Sequence, residues 1–255
     1  MPAPNNHGMA RTFHTPDWDT YRMDYGRPHL AVEPLAREIA VVDDALAALH
    51  DAGVIPHARY DGDRFLAHRR AVAERFEIPW TAITPRMQRL LYALNAITRP
   101  PYLLAAGVFC GNTFIANAGA AVGPGAVYAA AHCIGVEIKP EEAERAERNV
   151  RRLDPTGIAH VVAADAVEVA RAFPHSIGLL YLDADGDAAR GKGIYYDILD
   201  AARDRLRPGA LILAHNSINC ADRLQHYLAH VRDPRHFRES VHIMLDGEGL
   251  EVTCV

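Results

Sequence analysis

The sequence predicts an α/β protein whose doubly wound, mostly parallel sheet follows a helical N-terminal region. Short continuous apolar runs after residue 101 have the length and composition of strands buried on both faces. Helical stretches alternate with these runs through short links, which is typical of a parallel sheet covered by helices. The first hundred residues lack such runs and show helical periodicity instead, which indicates a separate helical cap.

Length and composition exclude several classes of protein. The chain has 255 residues, of which 49% are hydrophobic and 23% charged, so we expect one large domain with an appendage. A net charge of −5 disfavours a nucleic-acid binder. No apolar run reaches the ~20 residues of a membrane span, and the N-terminus lacks a secretory segment. We therefore expect a cytoplasmic protein with reduced cysteines, in which Cys110 is a small buried residue.

The N-terminal region divides into two parts. Residues 1–30 are polar, aromatic and interrupted by prolines, which predicts a flexible arm. Residues 31–100 contain three helical patterns, which we expect to form a cap or lid. The first pattern ends near Gly53, and the third begins with Thr84 as N-cap and Pro85 at the first helical position.

Residues 101–255 are predicted to form the ligand-binding domain. Its predicted strands are YLLAAGV, CIGVEI, HVVAAD, IGLLYLDAD and GALILAHN. The tail FRESVHIMLDGEGLEVTCV has two alternating runs around a glycine-rich turn, which predicts an antiparallel hairpin.

Polar residues and glycines stand where the predicted strands end, and this is the edge at which such sheets bind ligands. Gly107 opens a loop that lets backbone approach a ligand, and the next helix offers free N–H groups. Glu137 is placed to accept ribose hydroxyls and Asp165 to meet an adenine, although each is also an ordinary residue at a strand end. The G-x-G-x-x-G turn of NAD(P)-dependent dehydrogenases is absent, which ranks that class low.

The order and spacing of these strand ends resemble the class I S-adenosylmethionine (SAM)-dependent methyltransferases over residues 84–255. Within them, the chain most resembles small-molecule O-methyltransferases of the catechol and caffeoyl-CoA type. LDADG…KGIYYDILDAARDRLRPGALILAHN is similar to their D-A-D-K…Y motif and the following strand that ends in D-N. The resemblance implies a Rossmann-like class I methyltransferase sheet with a C-terminal antiparallel hairpin, and SAM as the cofactor.

The resemblance also implies how SAM would bind. Glu137 would hold the ribose, Asp165 with Ala166 would frame the adenine, and the loop 107–113 would face the methionine part. The expected cofactor residues are Gly107, Phe109, Cys110, Gly111, Asn112, Thr113, Glu137, Asp165, Ala166 and Asp183.

Two departures from the family concern catalysis. Metal-dependent members bind a divalent cation through Asp, Asp and Asn, whereas this chain has Asp183, His215 and Asn216. Mg²⁺ prefers oxygen ligands, so we expect no metal. The family lysine of D-A-D-K is Gly186 here, which leaves His215 as the candidate base by residue type. Asn216, Tyr196 and Asp185 are the further catalytic candidates, and a purely structural His215 is the alternative.

A third departure leaves the reaction open. The family acid that ends the first strand and holds the ammonium of SAM is replaced by Ala105, Ala106 and Gly107. Either another side chain such as Asn112 holds the ammonium, or the amine is freed to attack its own γ-carbon. That attack would give azetidine-2-carboxylate and methylthioadenosine, in a pocket that aromatic residues of the arm such as Tyr25 help to close.

The sequence thus predicts a SAM-dependent enzyme. Methyl transfer to a small metabolite is the default reaction, cyclisation of SAM is the alternative, and aminobutyrate transfer is a third option. We expect a small-molecule substrate, no nucleic-acid or membrane partner, and a homodimer as one option for the assembly.

Overall fold

A computed structural model describes residues 11–255 as one mixed sheet flanked by helices. The strands are β1 (Arg11–His14), β2 (Tyr102–Ala106), β3 (His132–Glu137), β4 (Ala159–Ala163), β5 (Ile177–Leu182), β6 (Leu206–His215), β7 (Glu239–Met244) and β8 (Leu250–Cys254). The helices are α1 (Leu35–Asp51), α2 (Gly62–Arg75), α3 (Pro85–Thr98), α4 (Asn112–Ala118), α5 (Pro140–Leu153), α6 (Ala166–Ala172), α7 (Ile194–Ala202) and α8 (Gln225–Val231). Within this described range, no helix is both long and apolar enough to cross a membrane.

The strand order is β1-β7-β8-β6-β5-β2-β3-β4, and only β8 runs antiparallel to its neighbours. The Rossmann-like sheet with an antiparallel C-terminal hairpin is therefore confirmed. From β2 the chain builds outward through β3 and β4, then returns to the other side of β2 with β5. This reversal is the topological switch point, where doubly wound sheets open a crevice for ligands.

The central strands are apolar because both faces of the sheet are covered. Leu103 and Ala105 of β2 belong to one core, whereas Leu104 and Ala106 belong to the core on the opposite face. This alternation follows from the two-residue period of a strand. A sheet buried in this way exposes functional side chains only at its strand ends.

The N-terminal helices differ in role from the predicted lid. Val42 of α1 and Leu90 of α3 are fully buried in the same core as Leu103 and Leu179 of the sheet. The helices at 31–100 therefore form the layer that covers one face of the sheet. Of this region, only the segment 80–83 before α3 reaches the ligand crevice.

Residues 1–10 of the predicted arm lie outside the described range. For residues 11–30, the prediction of a flexible arm is wrong. Arg11–His14 pair in parallel with β7 and form the edge of the sheet. Tyr21 is buried, with the guanidinium of Arg86 3.7 Å from the centre of its ring. The partners of this segment lie far away along the chain, so its sequence alone did not reveal them.

Candidate active site

A cavity of about 900 Å³ opens at the carboxyl ends of the parallel strands, at the switch point. Most of the predicted site residues line it: Gly107, Phe109, Thr113, Glu137, Asp165, Ala166, Asp183, Asp185, His215 and Asn216. The fold therefore brings together residues that are more than a hundred positions apart in sequence.

The loop after β2 has a backbone shape that few residues tolerate. Gly107 has φ of 78°, and a Cβ at this position would lie 2.4 Å from backbone atoms of Ala184. Gly111, just before α4, has φ of 86°. Phe109 also has a positive φ, 47°, which is strained for a residue with a bulky side chain. Such strain is typical of sites where backbone must approach a ligand closely.

Glu137 ties this loop to the end of β3. Its Oε2 accepts a hydrogen bond from the Phe109 N–H at 2.9 Å, and its Oε1 accepts one from the Lys139 N–H at 3.1 Å. Each carboxylate oxygen has capacity for a second hydrogen bond. The side chain is therefore held in place at the cavity wall, with acceptor capacity left for hydroxyl groups.

Asp165 caps the N-terminus of α6. One oxygen, Oδ1, accepts hydrogen bonds from the N–H groups of Val167 at 2.7 Å and Glu168 at 3.2 Å. This capping orients the carboxylate and leaves Oδ2 for an amino group in the cavity.

Four predicted site residues do not line the cavity. Cys110 is buried, and burial raises the pKa of its thiol to about 11, which agrees with a small packing residue. Gly111 shapes the loop, and Asn112 donates to Thr81 Oγ1 at 3.1 Å and so positions a cavity-lining segment. Tyr196 packs its ring on His226, with centroids 4.0 Å apart, which takes it out of the candidate site.

Lys192 is a cavity residue that sequence reasoning missed. It is almost fully buried, and its Nζ donates to the Asp183 carbonyl oxygen at 2.8 Å and to Asp183 Oδ1 at 2.9 Å. Burial acts to lower the pKa of Lys192, but the carboxylate of Asp183 outweighs it and the net shift is upward. The ammonium therefore stays protonated at neutral pH.

The loop after β5 explains how Lys192 reaches Asp183. The Gly186 N–H donates to the Gly191 carbonyl at 2.9 Å, so the chain folds back on itself before Lys192. A Cβ at position 186 would lie 3.0 Å from Arg190 Cβ and 3.2 Å from that carbonyl oxygen. Position 186 has no lysine, but this fold of the chain brings Lys192 against Asp183. In the sequence, Lys192 is marked only by its place in the segment KGIYY, which resembles the family motif. That segment does not reveal the direction of the lysine side chain.

His215 ends β6 and is almost fully buried, at 2% exposure. Its Nδ1 lies 3.5 Å from Asp183 Oδ2, and no described residue makes a hydrogen bond to either ring nitrogen. Burial acts to lower the pKa of His215, but the nearby carboxylate of Asp183 raises it, and the net direction is upward. A buried imidazole at a cavity wall, paired with a carboxylate on its Nδ1 side and without a hydrogen-bond partner at Nε2 among the described residues, is suited to take a proton from a bound ligand.

Glu248, from the turn between β7 and β8, closes the far side of the cavity and was also missed. Its Oε2 accepts hydrogen bonds from the side-chain amides of Asn216, at 2.8 Å, and of Asn219. Its Oε1 accepts a hydrogen bond from the Tyr25 hydroxyl at 2.7 Å, and this bond raises the pKa of Tyr25 to about 12. Asn216 has φ of 63°, a left-handed conformation that asparagine tolerates better than most residues.

Aromatic and apolar side chains surround the mouth of the cavity. Trp80 packs on Phe109 with ring centroids 4.9 Å apart. Trp80, Ile138 and Tyr25 all line the cavity, yet they rank among the most exposed large hydrophobic residues in the described part of the chain. Exposed apolar surface gathered at one opening indicates a binding site.

The residues do not fit a divalent cation. Lys192 already places a cation against Asp183, and the Asn216 amide is bonded to Glu248. Within residues 11–255, no group of three or more His, Cys, Asp or Glu side chains is arranged to hold a metal ion. Activity without a metal stays a prediction, which the experiments below test.

Comparison with known proteins agrees with this geometry. The model of a family described as "Methyltransferase domain" matches residues 104–217. Cofactor-bound Rv0187 from MTB has a TM-score of 0.58 and 19% identity, covering 76% of this chain and 90% of its own. An O-methyltransferase from Bacillus cereus in complex with SAH (S-adenosylhomocysteine) has a TM-score of 0.54 and 16% identity, covering 77% and 92%. The O-methyltransferase TomG from Streptomyces achromogenes, in complex with SAM and involved in tomaymycin synthesis, has a TM-score of 0.53 and 16% identity. The match covers 77% of this chain and 91% of TomG. No curated protein sequence matches the chain.

The chain thus has the fold of the class I SAM-dependent methyltransferases. The range that matches the methyltransferase-domain model, residues 104–217, includes the cavity-lining residues from the glycine loop to His215.

Proposed function

We propose that the protein is a SAM-dependent methyltransferase that methylates a hydroxyl group of a small metabolite. The observation that carries this proposal is the placement of Glu137, the strained glycine loop and the His215–Asp183 pair around one cavity. Its volume of about 900 Å³ lies in the range of ligand pockets and leaves room for a small acceptor beside the cofactor.

The residues present fit SAM. Glu137 would accept the ribose hydroxyls, Asp165 with Ala166 would frame the adenine, and the 107–113 loop would face the methionine part. When bound, SAM supplies an electrophilic methyl group on a sulfonium. Trp80 and Phe109 form an apolar wall that limits access of water to the reacting atoms.

His215 would act as the general base. While the methyl group passes from SAM to the acceptor oxygen and leaves SAH, Nε2 of His215 would take the hydroxyl proton. Asp183 faces the Nδ1 side of the ring and stabilises the imidazolium that results. SAH and the methylated product then leave.

Replacing Glu137 by alanine is expected to weaken SAM binding by about 1–3 kcal/mol, or about 5- to 150-fold in Kd. The variant loses acceptors for the ribose and also the two N–H contacts that hold the loop. Isothermal titration calorimetry measures the change. Glu141→Ala, an exposed residue in the first turn of α5, is the matched control and should bind as the unchanged protein does. An unchanged Kd for Glu137→Ala would remove the basis for this cofactor site.

Cyclisation of SAM is a second candidate reaction, and the end of β2 favours it. Ala105 and Ala106 are fully buried there, and no carboxylate stands on that strand end to keep the ammonium of SAM protonated. A neutral amine is a nucleophile that would attack the γ-carbon of the same molecule and expel methylthioadenosine.

Incubation with SAM alone, with EDTA present, separates the two reactions. Mass spectrometry that shows enzyme-dependent methylthioadenosine and azetidine-2-carboxylate would establish cyclisation. Methylthioadenosine with aminobutyrate on an added amine would establish the third option. Intact SAM that turns into SAH only when a hydroxyl acceptor is added would establish methyl transfer. Cytoplasmic location, absence of a nucleic-acid partner and a homodimer remain predictions that fractionation, electrophoretic shift and size-exclusion chromatography test.

A further inference from the structure

We propose that the carboxylate of Glu248 binds a positively charged amino group of the methyl acceptor, so that the acceptor is a hydroxyl compound that also carries an amine. The inference deepens the proposed methyl transfer and rests on it for the place of the reacting hydroxyl at His215. The amine site itself is defined by the contacts of Glu248 and by the charges around it, and these do not depend on the reaction.

Glu248 is a cavity-lining carboxylate whose hydrogen-bond partners are all neutral. Its Oε2 accepts hydrogen bonds from the amides of Asn216 and Asn219, and its Oε1 accepts one, from the Tyr25 hydroxyl. Among the described residues, no lysine, arginine or histidine forms an ion pair with it. Each carboxylate oxygen has two acceptor positions, so Oε1 keeps one of them for a donor on a ligand.

The two lysines of the cavity wall do not neutralise Glu248. Lys192 bonds Asp183 at 2.9 Å and forms an ion pair with Asp185 at 3.4 Å. Lys139 follows the end of β3, and two strands, β5 and β2, lie between β3 and the β6 side of the sheet where Glu248 is bonded. Six carboxylates and two lysines line the cavity in all, so its wall is negative and attracts a cationic ligand.

The negative charge of Glu248 reaches the reacting end of the site. Glu248 and Asp246 both contribute to the raised pKa of His215, and Asn216, which bonds Glu248, follows His215 in the chain. A compound with its hydroxyl at Nε2 of His215 therefore needs only a short chain to bring an amine to Glu248. Nε2 has no hydrogen-bond partner among the described residues although His215 is 2% exposed, which independently indicates a ligand in this half of the cavity.

Aromatic rings at the mouth of the cavity also favour a cation. The Tyr25 hydroxyl bonds Glu248, and the Tyr25 carbonyl accepts a hydrogen bond from the Thr81 N–H at 3.0 Å, next to the cavity-lining ring of Trp80. Aromatic faces attract ammonium groups. A phenol with a short aminoalkyl chain fits this combination of an apolar wall and an unpaired carboxylate, whereas a phenol with a carboxylate chain would be repelled.

Binding of three phenols of similar size tests the inference. Tyramine carries an ammonium, 4-ethylphenol lacks it, and 3-(4-hydroxyphenyl)propanoate carries a carboxylate instead. Each is titrated calorimetrically into the unchanged protein, with and without saturating SAH, so that no turnover interferes. We expect tyramine to bind at least about tenfold more tightly than 4-ethylphenol, the usual scale of a charge-assisted hydrogen bond, and the propanoate to bind most weakly.

Two variants assign the preference to one carboxylate. Glu248→Gln keeps the volume and polar partners of the side chain but removes its charge, so tyramine and 4-ethylphenol should bind it about equally. Glu144→Gln is the matched control, because Glu144 is 75% exposed on α5 and pairs only with Arg148, at 3.8 Å. It removes the same charge away from the cavity and should keep the preference for tyramine.

Equal affinity of the unchanged protein for tyramine and 4-ethylphenol would overturn the inference, and so would a preference that persists in Glu248→Gln. Titrations with SAH and methylthioadenosine address the ammonium of the cofactor. A loss of SAH affinity in Glu248→Gln that methylthioadenosine does not share would assign Glu248 to the cofactor and overturn its role toward the acceptor. Failure of the unchanged protein to bind SAH would count against the proposed function, and the titrations without SAH would still decide the amine site.

Discussion

Replacing His215 by glutamine is expected to lower kcat by about 10²- to 10⁴-fold, the usual contribution of a general base. Glutamine keeps a polar side chain of similar reach but does not take up a proton. SAM affinity should stay close to that of the unchanged protein, because the residues expected to hold the ribose and the adenine lie at the ends of β3 and β4 and not beside His215. Formation of SAH with a panel of catechols and phenols measures kcat, and calorimetry measures the affinity.

The pH profile gives the same experiment a second readout. The pKa of His215 is raised above the usual 6.5, because the Asp183 carboxylate outweighs the effect of burial, with smaller contributions from Asp246 and Glu248. A base acts in its neutral form, so kcat/KM should rise with pH through this raised pKa and level off above it. This rise of kcat/KM with pH should be absent in the His215→Gln variant.

His226→Gln is the matched control, because His226 stacks on Tyr196 outside the cavity. It should leave both kcat and the pH profile unchanged. Full activity of His215→Gln, or an unaltered pH limb in that variant, would rule out His215 as the base and favour the structural alternative.

Replacing Arg86 by methionine is expected to destabilise the fold by about 3–5 kcal/mol. Arg86 is fully buried, and its guanidinium bonds the carboxylate of Glu33 at 2.7 Å, that of Asp17 at 3.0 Å and the Leu245 carbonyl at 3.0 Å. Methionine fills much of the volume but leaves Glu33 without the guanidinium of Arg86 and Asp17 with only the longer ion pair to Arg37, at 3.5 Å. Removal of one partner of a buried ion pair is costly for this reason.

Thermal unfolding followed by circular dichroism should show a fall in Tm of roughly 10 °C, at about 2–4 °C per kcal/mol for a domain of this size. The matched control is Arg171→Met, which removes an exposed ion pair with Glu168 and should change stability by less than about 1 kcal/mol. The triple variant Arg86→Met/Glu33→Gln/Asp17→Asn should recover part of the loss, because neither carboxylate remains and only the half-exposed Arg37 loses its partner. A Tm for Arg86→Met equal to that of the control would show that this network contributes little.

The arginine network also explains why the first thirty residues were misjudged. Asp17 is one of several acidic residues in a polar stretch interrupted by prolines, which is the composition of a flexible arm, and Glu33 lies just beyond that stretch. Their partner Arg86 is more than fifty residues away, at the start of α3. Pairing of Arg11–His14 with β7 joins residues about 230 positions apart. Local pattern carries no information about contacts over such separations.

The predicted site residues also divide into those whose position follows from a local sequence pattern and those whose position depends on packing. Glu137, Asp165 and His215 were predictable because each ends or follows an apolar run, and parallel strands carry their ends to one edge of the sheet. Tyr196 was misplaced because a helix turns successive residues about 100° apart. Tyr195 therefore faces the core and Tyr196 faces the histidines of α8.

By itself, then, the sequence determined the alternation of strands and helices, the antiparallel hairpin and the strand-end residues that line the cavity. These follow from local periodicity, which the chain carries in short stretches. Only the tertiary structure decided that Lys192 returns to Asp183, that Glu248 meets Tyr25 and that the N-terminal helices cover the sheet as a layer. Those features depend on how loops fold back and how distant segments pack, and both are set by contacts between residues that no local pattern connects.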